Sequence, residues 1–458
     1  MLLIYQAETG TLLALDGSSR VPNRAVRENF TDRSMTLNGL AASTVPSTPA
    51  VLDYVRKRYG TMELSQVLAP AIRIAGEGYE MTRLQRSLQR RELKALMAGN
   101  AGQVFLREGH RTFPEGSVFR QPVLARTLRR LSEAGIEDFY TGEIAGIIER
   151  DMQEGGGFIH RDDLAQVPYP IERKAISSRY GRMEVFTMPP PGAGRTLLEM
   201  LKILWRFPPS EVNPDTPRGA LLLAETMRRA QLDRRDRPFD PSFYPQVEER
   251  RMLSPHYTRM VSRQIQGLLN GSGETTHLSV MDRHGNMVAL TQSIERVYGS
   301  KTVSPGLGFL YNNYMSALEY DDMGHPYYLR PNGVPWGSVA PSLVFRDRRP
   351  WLAIGSPGSE RIAPTVLQVL LRLSRKQSPY DSVAAPRMHC SYDGKVSLEA
   401  EMMRDDIPAF LSAKGFGIDI REPMSFYMGC VQMVLREDGE FIGVADPRRD
   451  GTASGPLK

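Results

Sequence analysis

The sequence predicts an α/β protein arranged as a layered sandwich, with two sheets between helical layers. Three observations carry that prediction. Apolar runs split by turn residues mark strand pairs near both ends, over residues 2–16 and 430–444. Apolar residues at helical spacing dominate the stretch from residue 47 to residue 152. Beyond residue 275, strand-like runs alternate with one long apolar helix pattern, and no internal repeat or low-complexity tract interrupts the order.

Residues 2–16 read as a hairpin around Glu8-Thr9-Gly10. Ser47-Thr48-Pro49 gives an N-cap and a first-turn proline; Val51, Leu52 and Val55 then recur at helical spacing until Gly60. Helical patterning continues over 64–75, 84–97, 121–134 and 144–152, a portion in which no chemistry is legible. His110 and His160 read as surface histidines in loops. Residues 183–186 form a strand entering Pro189-Pro190-Pro191-Gly192-Ala193-Gly194, a rigid loop before a helix over 196–205. Helices over 219–233 and 249–269 lead to a small loop, Gly271-Ser272-Gly273-Glu274. Next comes a hairpin: Leu278-Ser279-Val280-Met281, a turn from Asp282 to Asn286, and a second strand over 287–291. Strands at 341–345 and 351–354, a helix at 362–373, a less regular region from 384, and a hairpin of 430–435 with 441–444 complete the chain.

Composition excludes several classes. With 41% hydrophobic and 24% charged residues the chain is an ordinary globular one, and no apolar run is long enough to span a membrane. Cys390 and Cys430 offer no disulfide framework and no CxxC knuckle, and read as two buried thiols. The net charge of +6 comes from dispersed arginine pairs such as Arg90-Arg91, Arg129-Arg130, Arg234-Arg235 and Arg348-Arg349, a solvated surface rather than a nucleic-acid footprint. No HExxH, GxSxG, P-loop or GxGxxG is present, so no metal and no cofactor is implied. Met1-Leu2-Leu3-Ile4-Tyr5 lacks a basic leader region, which reads as a cytoplasmic chain.

The chemistry concentrates at Thr275. A threonine hydroxyl needs a base near neutrality. If the chain is cut before Thr275, the new α-amino group, with a reference pKa of about 7.7–8.0, supplies that base from the same residue. A glycine loop ahead of a strand leaves such a peptide bond accessible. The segment TTHLSVMDRHGNMVALTQSIERVYGS, starting at Thr275, resembles the self-cleavage region of the γ-glutamyltranspeptidase family of N-terminal-nucleophile hydrolases. MPPPGAGRTLLEML from Met188, LGFLYNNYM from Leu307, GSPGSERIAPTVLQVL from Gly355 and ADPRRDG from Ala445 follow the family order, so the resemblance spans almost the whole chain.

That resemblance implies an N-terminal-nucleophile αββα sandwich lacking the family's N-terminal helical portion, which in turn predicts exposed apolar surface and either poor solubility or oligomerisation. It implies autocatalytic cleavage between Glu274 and Thr275, giving a large-subunit-like segment 1–274 and a small-subunit-like segment 275–458 that stay together as a heterodimer. Thr275 is then the nucleophile, and Ser293 stands where the family has a threonine bonded to it. Gly358 and Ser359 match two successive glycines of the oxyanion turn, although GSPGS alone reads as an ordinary turn. Substrate groups depart from the pattern. Ser18 stands at the family's carboxylate-binding arginine, with Arg20 two residues on; Tyr314 and Ala317 replace a polar residue and an aspartate; Gly337-Ser338 replace a serine pair; Glu295 replaces an asparagine. Arg20, Glu295 and Ser338 are therefore the expected substrate contacts. The reading is an autoprocessed amide hydrolase for a small γ-glutamyl or related acyl amide, with hydrolysis favoured over transfer. The alternative is a non-catalytic homologue serving as a binding or assembly module.

Overall fold

In the computed structural model, residues 1–167, 171–236 and 273–455 are described; the helix expected at 249–269 and the residues Gly271 and Ser272 lie outside them. In chain order the strands are β1 (Leu2–Gln6), β2 (Thr11–Asp16), β3 (Tyr79–Glu80), β4 (Val118–Phe119), β5 (Ile171–Arg173), β6 (Ile176–Tyr180), β7 (Met183–Thr187) and β8 (Gly273–Met281). They continue as β9 (Met287–Arg296), β10 (Ser342–Arg346), β11 (Arg349–Gly355), β12 (Met388–Cys390), β13 (Lys395–Glu399), β14 (Gly417–Arg421), β15 (Gln432–Glu437) and β16 (Glu440–Ala445). The chain divides into two compact units. One comprises Met1–Leu15, Glu172–Gln292 and Gly337–Lys458; the other comprises Asp16–Ile171 and Ser293–Trp336.

The first unit is built on two sheets, in the orders β5-β2-β1-β9-β8 and β16-β15-β11-β10-β7-β6. Strand alternation puts Leu3, Ala14, Met287 and Ala289 of the first sheet against Leu343, Phe345 and Ala353 of the second. Tyr5 meets Phe345 edge to face at 4.9 Å, and β8 lies against β11 and β15. The outer face of the six-stranded sheet is covered by helices Gly194–Leu204, Pro217–Asp236 and Ile362–Ser374, whose Leu197, Leu201, Met227, Val366 and Leu370 join Val185, Leu352, Ile354 and Met433 in one core. Helix Ile362–Ser374 is buried almost all round, as its lack of a polar face requires. Its Arg372 reaches Asp215 through two bonds of 2.8 and 2.6 Å.

The second unit is mainly helical. Helices Pro122–Ala134 and Glu143–Gly155 bury Leu131, Ile144, Ile148 and Met152 against Phe139, Leu307 and Tyr311. The paired asparagines of LYNN act as ties. Asn312 receives the Thr44 amide at 3.0 Å and donates to the Thr44 carbonyl at 2.8 Å; Asn313 donates to Leu37 O at 3.0 Å and accepts from Arg296 N at 3.0 Å.

Several expectations are corrected. Gly273 and Glu274 begin β8 rather than finishing a loop, because a Gly-Glu pair has no alternation to announce a strand. Ser47 is the residue before helix Thr48–Tyr59, but its hydroxyl donates to the Gly17 carbonyl instead of capping the helix. The region from 384 holds a third sheet, β12-β13-β14, in which β13 and β14 pair in parallel on either side of helix Ile407–Ala413. Its strands of three to five residues are too short for periodicity to show. Strand β6 went unread for a similar reason, since ISSRY carries serine at its inward position. Both cysteines are buried free thiols, as expected. Among the described residues no helix is long and apolar enough to cross a membrane.

Candidate active site

Strand alternation sets the side chains of β8. Thr275 and His277 are 7% and 6% exposed, whereas Leu278 is 52% exposed. Thr275 thus faces inward, two residues after the start of a strand that stands last in its sheet. His277 links this strand to its neighbours: Nδ1 lies 2.8 Å from Thr291 Oγ1 on β9, and Nε2 lies 2.9 Å from Ser279 Oγ. Ser279 in turn donates to Gln432 O on β15 at 3.1 Å, crossing between the sheets. Burial pulls the His277 imidazole down to about 3, so it is neutral at neutral pH and works as a hydrogen-bonded strut. Gly355, the last residue of β11, faces that ring so closely that any Cβ there would collide with it.

After Gly355 the chain turns through Ser356-Pro357-Gly358-Ser359. Gly358 has φ 134° and Ser359 has φ 56°, followed by one tight turn over Ser359–Arg361 and then helix Ile362–Ser374. A left-handed serine is uncommon, and its backbone is held from outside. Ser356 Oγ accepts from Cys430 N at 2.9 Å, and Thr365 Oγ1 donates to Met428 O at 2.9 Å. Gly429 fits between them; a Cβ there would stand 2.8 Å from Ser356 Oγ and 2.9 Å from Pro357 O. Strand β8 touches the turn over Ser359–Arg361.

The Met428–Val431 segment is itself anchored by a buried charge network. Arg448 Nε donates to Glu399 Oε1 at 2.8 Å, and Arg387 Nη2 lies 2.6 Å from Asp446 Oδ2, with all four side chains at most 5% exposed. Asp446 also accepts the Val431 amide at 2.8 Å, and Glu399 accepts the Ser425 amide at 2.8 Å. This explains the ADPRRDG segment: its Asp446 and Arg448 hold the loop that backs the turn. The PPPGAG loop has a comparable job. Gly337 N donates to Pro191 O at 3.2 Å and Ala193 N to Val339 O at 2.9 Å, which places half-buried Ser338 between two backbone ties. Arg234 Nη2 adds a third bond, to Gly337 O at 2.8 Å.

In the second unit, Ser293, Glu295 and Tyr314 come together. Ser293 Oγ accepts the Glu295 amide at 3.0 Å, with Glu295 at φ 75°. The Tyr314 hydroxyl hydrogen-bonds Ser293, and its pKa is pushed up by burial and by the nearby Glu295 carboxylate. Arg20 pairs with Val45 through backbone bonds of 3.4 and 2.8 Å. The Ser18 hydroxyl donates to Asp16 Oδ1 at 2.6 Å. The sequence missed the Tyr314–Ser293 contact and the buried network. Only the repeated charges of Asp446-Pro447-Arg448-Arg449-Asp450 after an apolar strand hinted at the latter. His110 is exposed and His160 sits 3.3 Å from Glu149, so both remain outside the chemistry. Among the described residues no group of His, Cys, Asp and Glu is placed to hold a metal ion.

Comparison with known proteins agrees with this geometry. The family profile described as Gamma-glutamyltranspeptidase matches residues 1–456. The glutathione hydrolase proenzyme of Escherichia coli strain K12 is 29% identical, with 97% of this chain and 82% of that protein covered. The Acylase ACY 1 proenzyme of Pseudomonas sp. strain SE83 is 28% identical, with 97% and 82% covered. The crystal structure of cephalosporin acylase from Bacillus halodurans superposes with a TM-score of 0.85 at 26% identity, over 100% of this chain and 87% of that one. An inward threonine near the start of β8, two stacked sheets and a profile match over essentially the full length lead to one conclusion: the chain belongs to the γ-glutamyltranspeptidase family, as an amide-cleaving enzyme of the N-terminal-nucleophile fold.

Proposed function

We propose that the protein is an autoprocessed threonine amide hydrolase, and the observation that carries this is Thr275, inward-facing at the start of β8 and followed by the His277 strut. In processing, Thr275 Oγ attacks the Glu274 carbonyl, the acyl group passes from nitrogen to oxygen, and water hydrolyses the ester to free the Thr275 amine. That amine then takes the Thr275 hydroxyl proton as the oxygen attacks a substrate amide. The tetrahedral oxyanion is held by the backbone N–H groups of Gly358 and Ser359, a role to which the serine side chain is indifferent. Ser293 supports the nucleophile's hydroxyl. The amine product leaves with the proton, and water releases the acid from the Thr275 ester.

Cleavage gives segments 1–274 and 275–458. Their association is supported by the topology, because β6 and β7 share a sheet with β10, β11, β15 and β16, while β1, β2 and β5 share one with β8 and β9. The relatives named as proenzymes support processing, and those named as acylases support an acyl amide substrate. The substrate is a γ-glutamyl or glutaryl-type amide, bound through Arg20, Glu295 and Ser338, with water favoured over an amine acceptor. Ser18 and Tyr314, engaged with Asp16 and Ser293, support a weakened grip on a free amino-acid end.

Denaturing electrophoresis tests the processing step: pieces of 274 and 458 − 274 = 184 residues are expected. A folded wild type that stays as one 51.4 kDa chain would sink the catalytic reading in favour of a binding module. The substrate is tested by kcat/KM for a glutaryl and a γ-glutamyl amide bearing the same leaving group. The glutaryl compound is expected to be cleaved at least as well; a strong γ-glutamyl preference would restore an ordinary glutathione-type hydrolase.

A further inference from the structure

The turn proposed to hold the oxyanion is followed directly by a carboxylate, Glu360. A negative charge so close opposes the charge that develops on the tetrahedral intermediate, and the opposition grows as water is excluded. The structure surrounds this carboxylate with basic side chains. His389 Nε2 on β12 lies 3.6 Å from Glu360 Oε1, Arg361 Nη1 lies 3.8 Å from the same oxygen, and Arg234 from helix Pro217–Asp236 acts on it at longer range. Burial by itself pushes the Glu360 carboxyl up, but His389 and the two arginines overcome it and hold the group at about 2, so it is ionised at working pH.

Two of those basic groups, the arginines, have other engagements. The Arg361 guanidinium lies 4.2 Å over the Tyr427 ring, which Arg421 also approaches at 4.2 Å, and Arg234 is bonded to Gly337 O. His389 differs from both. It is 2% exposed, its ring nitrogens make no hydrogen bond, and its ring meets Tyr427 at a centroid distance of 6.3 Å. A buried imidazole with no bonded partner, directed at a half-buried carboxylate next to the proposed oxyanion turn, is placed to balance charge. Gln231 Nε2 holds the Glu360 backbone carbonyl at 3.0 Å, so the residue is fixed from both ends.

We propose that Glu360 and His389 form a charge-compensated positioning pair for the Gly358–Ser359 turn, with His389 cancelling the carboxylate that the oxyanion would otherwise meet. The proposal rests on the amide-hydrolase reading, because it needs an oxyanion at that turn. Neither residue touches substrate; both act through the turn.

The test is a four-protein cycle of wild type, Glu360→Gln, His389→Gln and the double variant, assayed on a glutaryl amide. His389→Gln leaves the carboxylate uncompensated and is expected to lower kcat at least tenfold with KM unchanged. Glu360→Gln, which removes the adverse charge, is expected to change kcat less than threefold. Added to His389→Gln, it is expected to restore kcat to within about threefold of wild type, since 1.4 kcal/mol is tenfold. A double variant as slow as His389→Gln, or slower, overturns the proposal, as does a loss carried by KM. Melting temperatures of the same four proteins give a second cycle that does not depend on turnover. There His389→Gln is expected to lower the melting temperature and Glu360→Gln to recover part of the loss; strictly additive losses would refute the pairing. A wild type that melts with this coupling but cleaves no amide would defeat the function while leaving the pair intact.

Discussion

The groups of the first unit and those of the second are built on different principles. Thr275, His277 and the Gly358–Ser359 turn owe their positions to backbone: a strand in a ladder, a glycine that admits the imidazole, and a turn clamped by the Met428–Val431 segment. Ser18, Glu295 and Tyr314 make bonds that involve a side chain, to Asp16 and Ser293. A site made from backbone tolerates a change of side chain, so Ser359 can stand at φ 56° where a glycine is the easier choice. Recognition made from side chains changes whenever the side chain does. On the proposed assignment of these residues, reaction geometry and amino-acid grip can diverge independently in one chain.

The strongest way to break that comparison is at its centre. Thr275→Ala is expected to abolish both self-cleavage and amide turnover, a loss of about 10⁴-fold or more, while leaving the melting temperature nearly unchanged. Residual cleavage by the variant would move the nucleophile elsewhere. Next comes the support of the turn. Asp446→Asn leaves Arg387 and Arg448 facing one less charge inside the protein, and unfolding by urea should show a loss of about 3–5 kcal/mol. A loss below about 1 kcal/mol would show that the Met428–Val431 loop does not depend on the network.

The His277 strut predicts an acid dependence. Its folded pKa of about 3 lies below the ordinary 6.5, so as pH falls through that window the unfolded state takes up a proton that the native state refuses. The contribution is fully present above pH 6.5 and is lost on acidification, by about 2 kcal/mol between pH 6.5 and pH 5 at 1.36 kcal/mol per unit. Calorimetry across that range should show the slope in wild type and a flatter one in His277→Gln; identical slopes would mean that the imidazole is not buried as neutral. The smallest effect belongs to the second region. Tyr314→Phe removes one hydroxyl bond to Ser293, worth about 0.5–1.5 kcal/mol, and should lower kcat/KM by up to about tenfold on either substrate. A larger loss confined to the γ-glutamyl compound would make Tyr314 part of the grip and blur the division drawn above.

Where local pattern carries the signal, sequence and structure agree closely. The 2–16 hairpin follows from apolar runs flanking Gly10, which takes φ 67° at the turn. The helix at 362–374 follows from an unbroken apolar pattern, and the strand carrying Thr275 from alternation in the residues after it. The two-residue extension of β8, the three short strands β12–β14 and the diversion of the Ser47 hydroxyl from the helix it precedes were not legible, since each depends on a partner supplied by a distant segment.

By itself the sequence determined the order of these elements and the two buried thiols, because periodicity and turn chemistry act over a few residues; it did not give the inward facing of Thr275, since the apolar Leu278 and Val280 of the same strand are the exposed ones. Only the tertiary structure decided that Tyr314 reaches Ser293, that His277 bonds Thr291 while Ser279 crosses to Gln432 of the other sheet, and that Glu360 faces His389. It also brought Arg387 to Asp446 and Glu399 to Arg448, pairs separated by 59 and 49 residues. Such contacts arise when sheets stack and helices close over them, and a buried charge can persist only where that packing delivers its counter-charge.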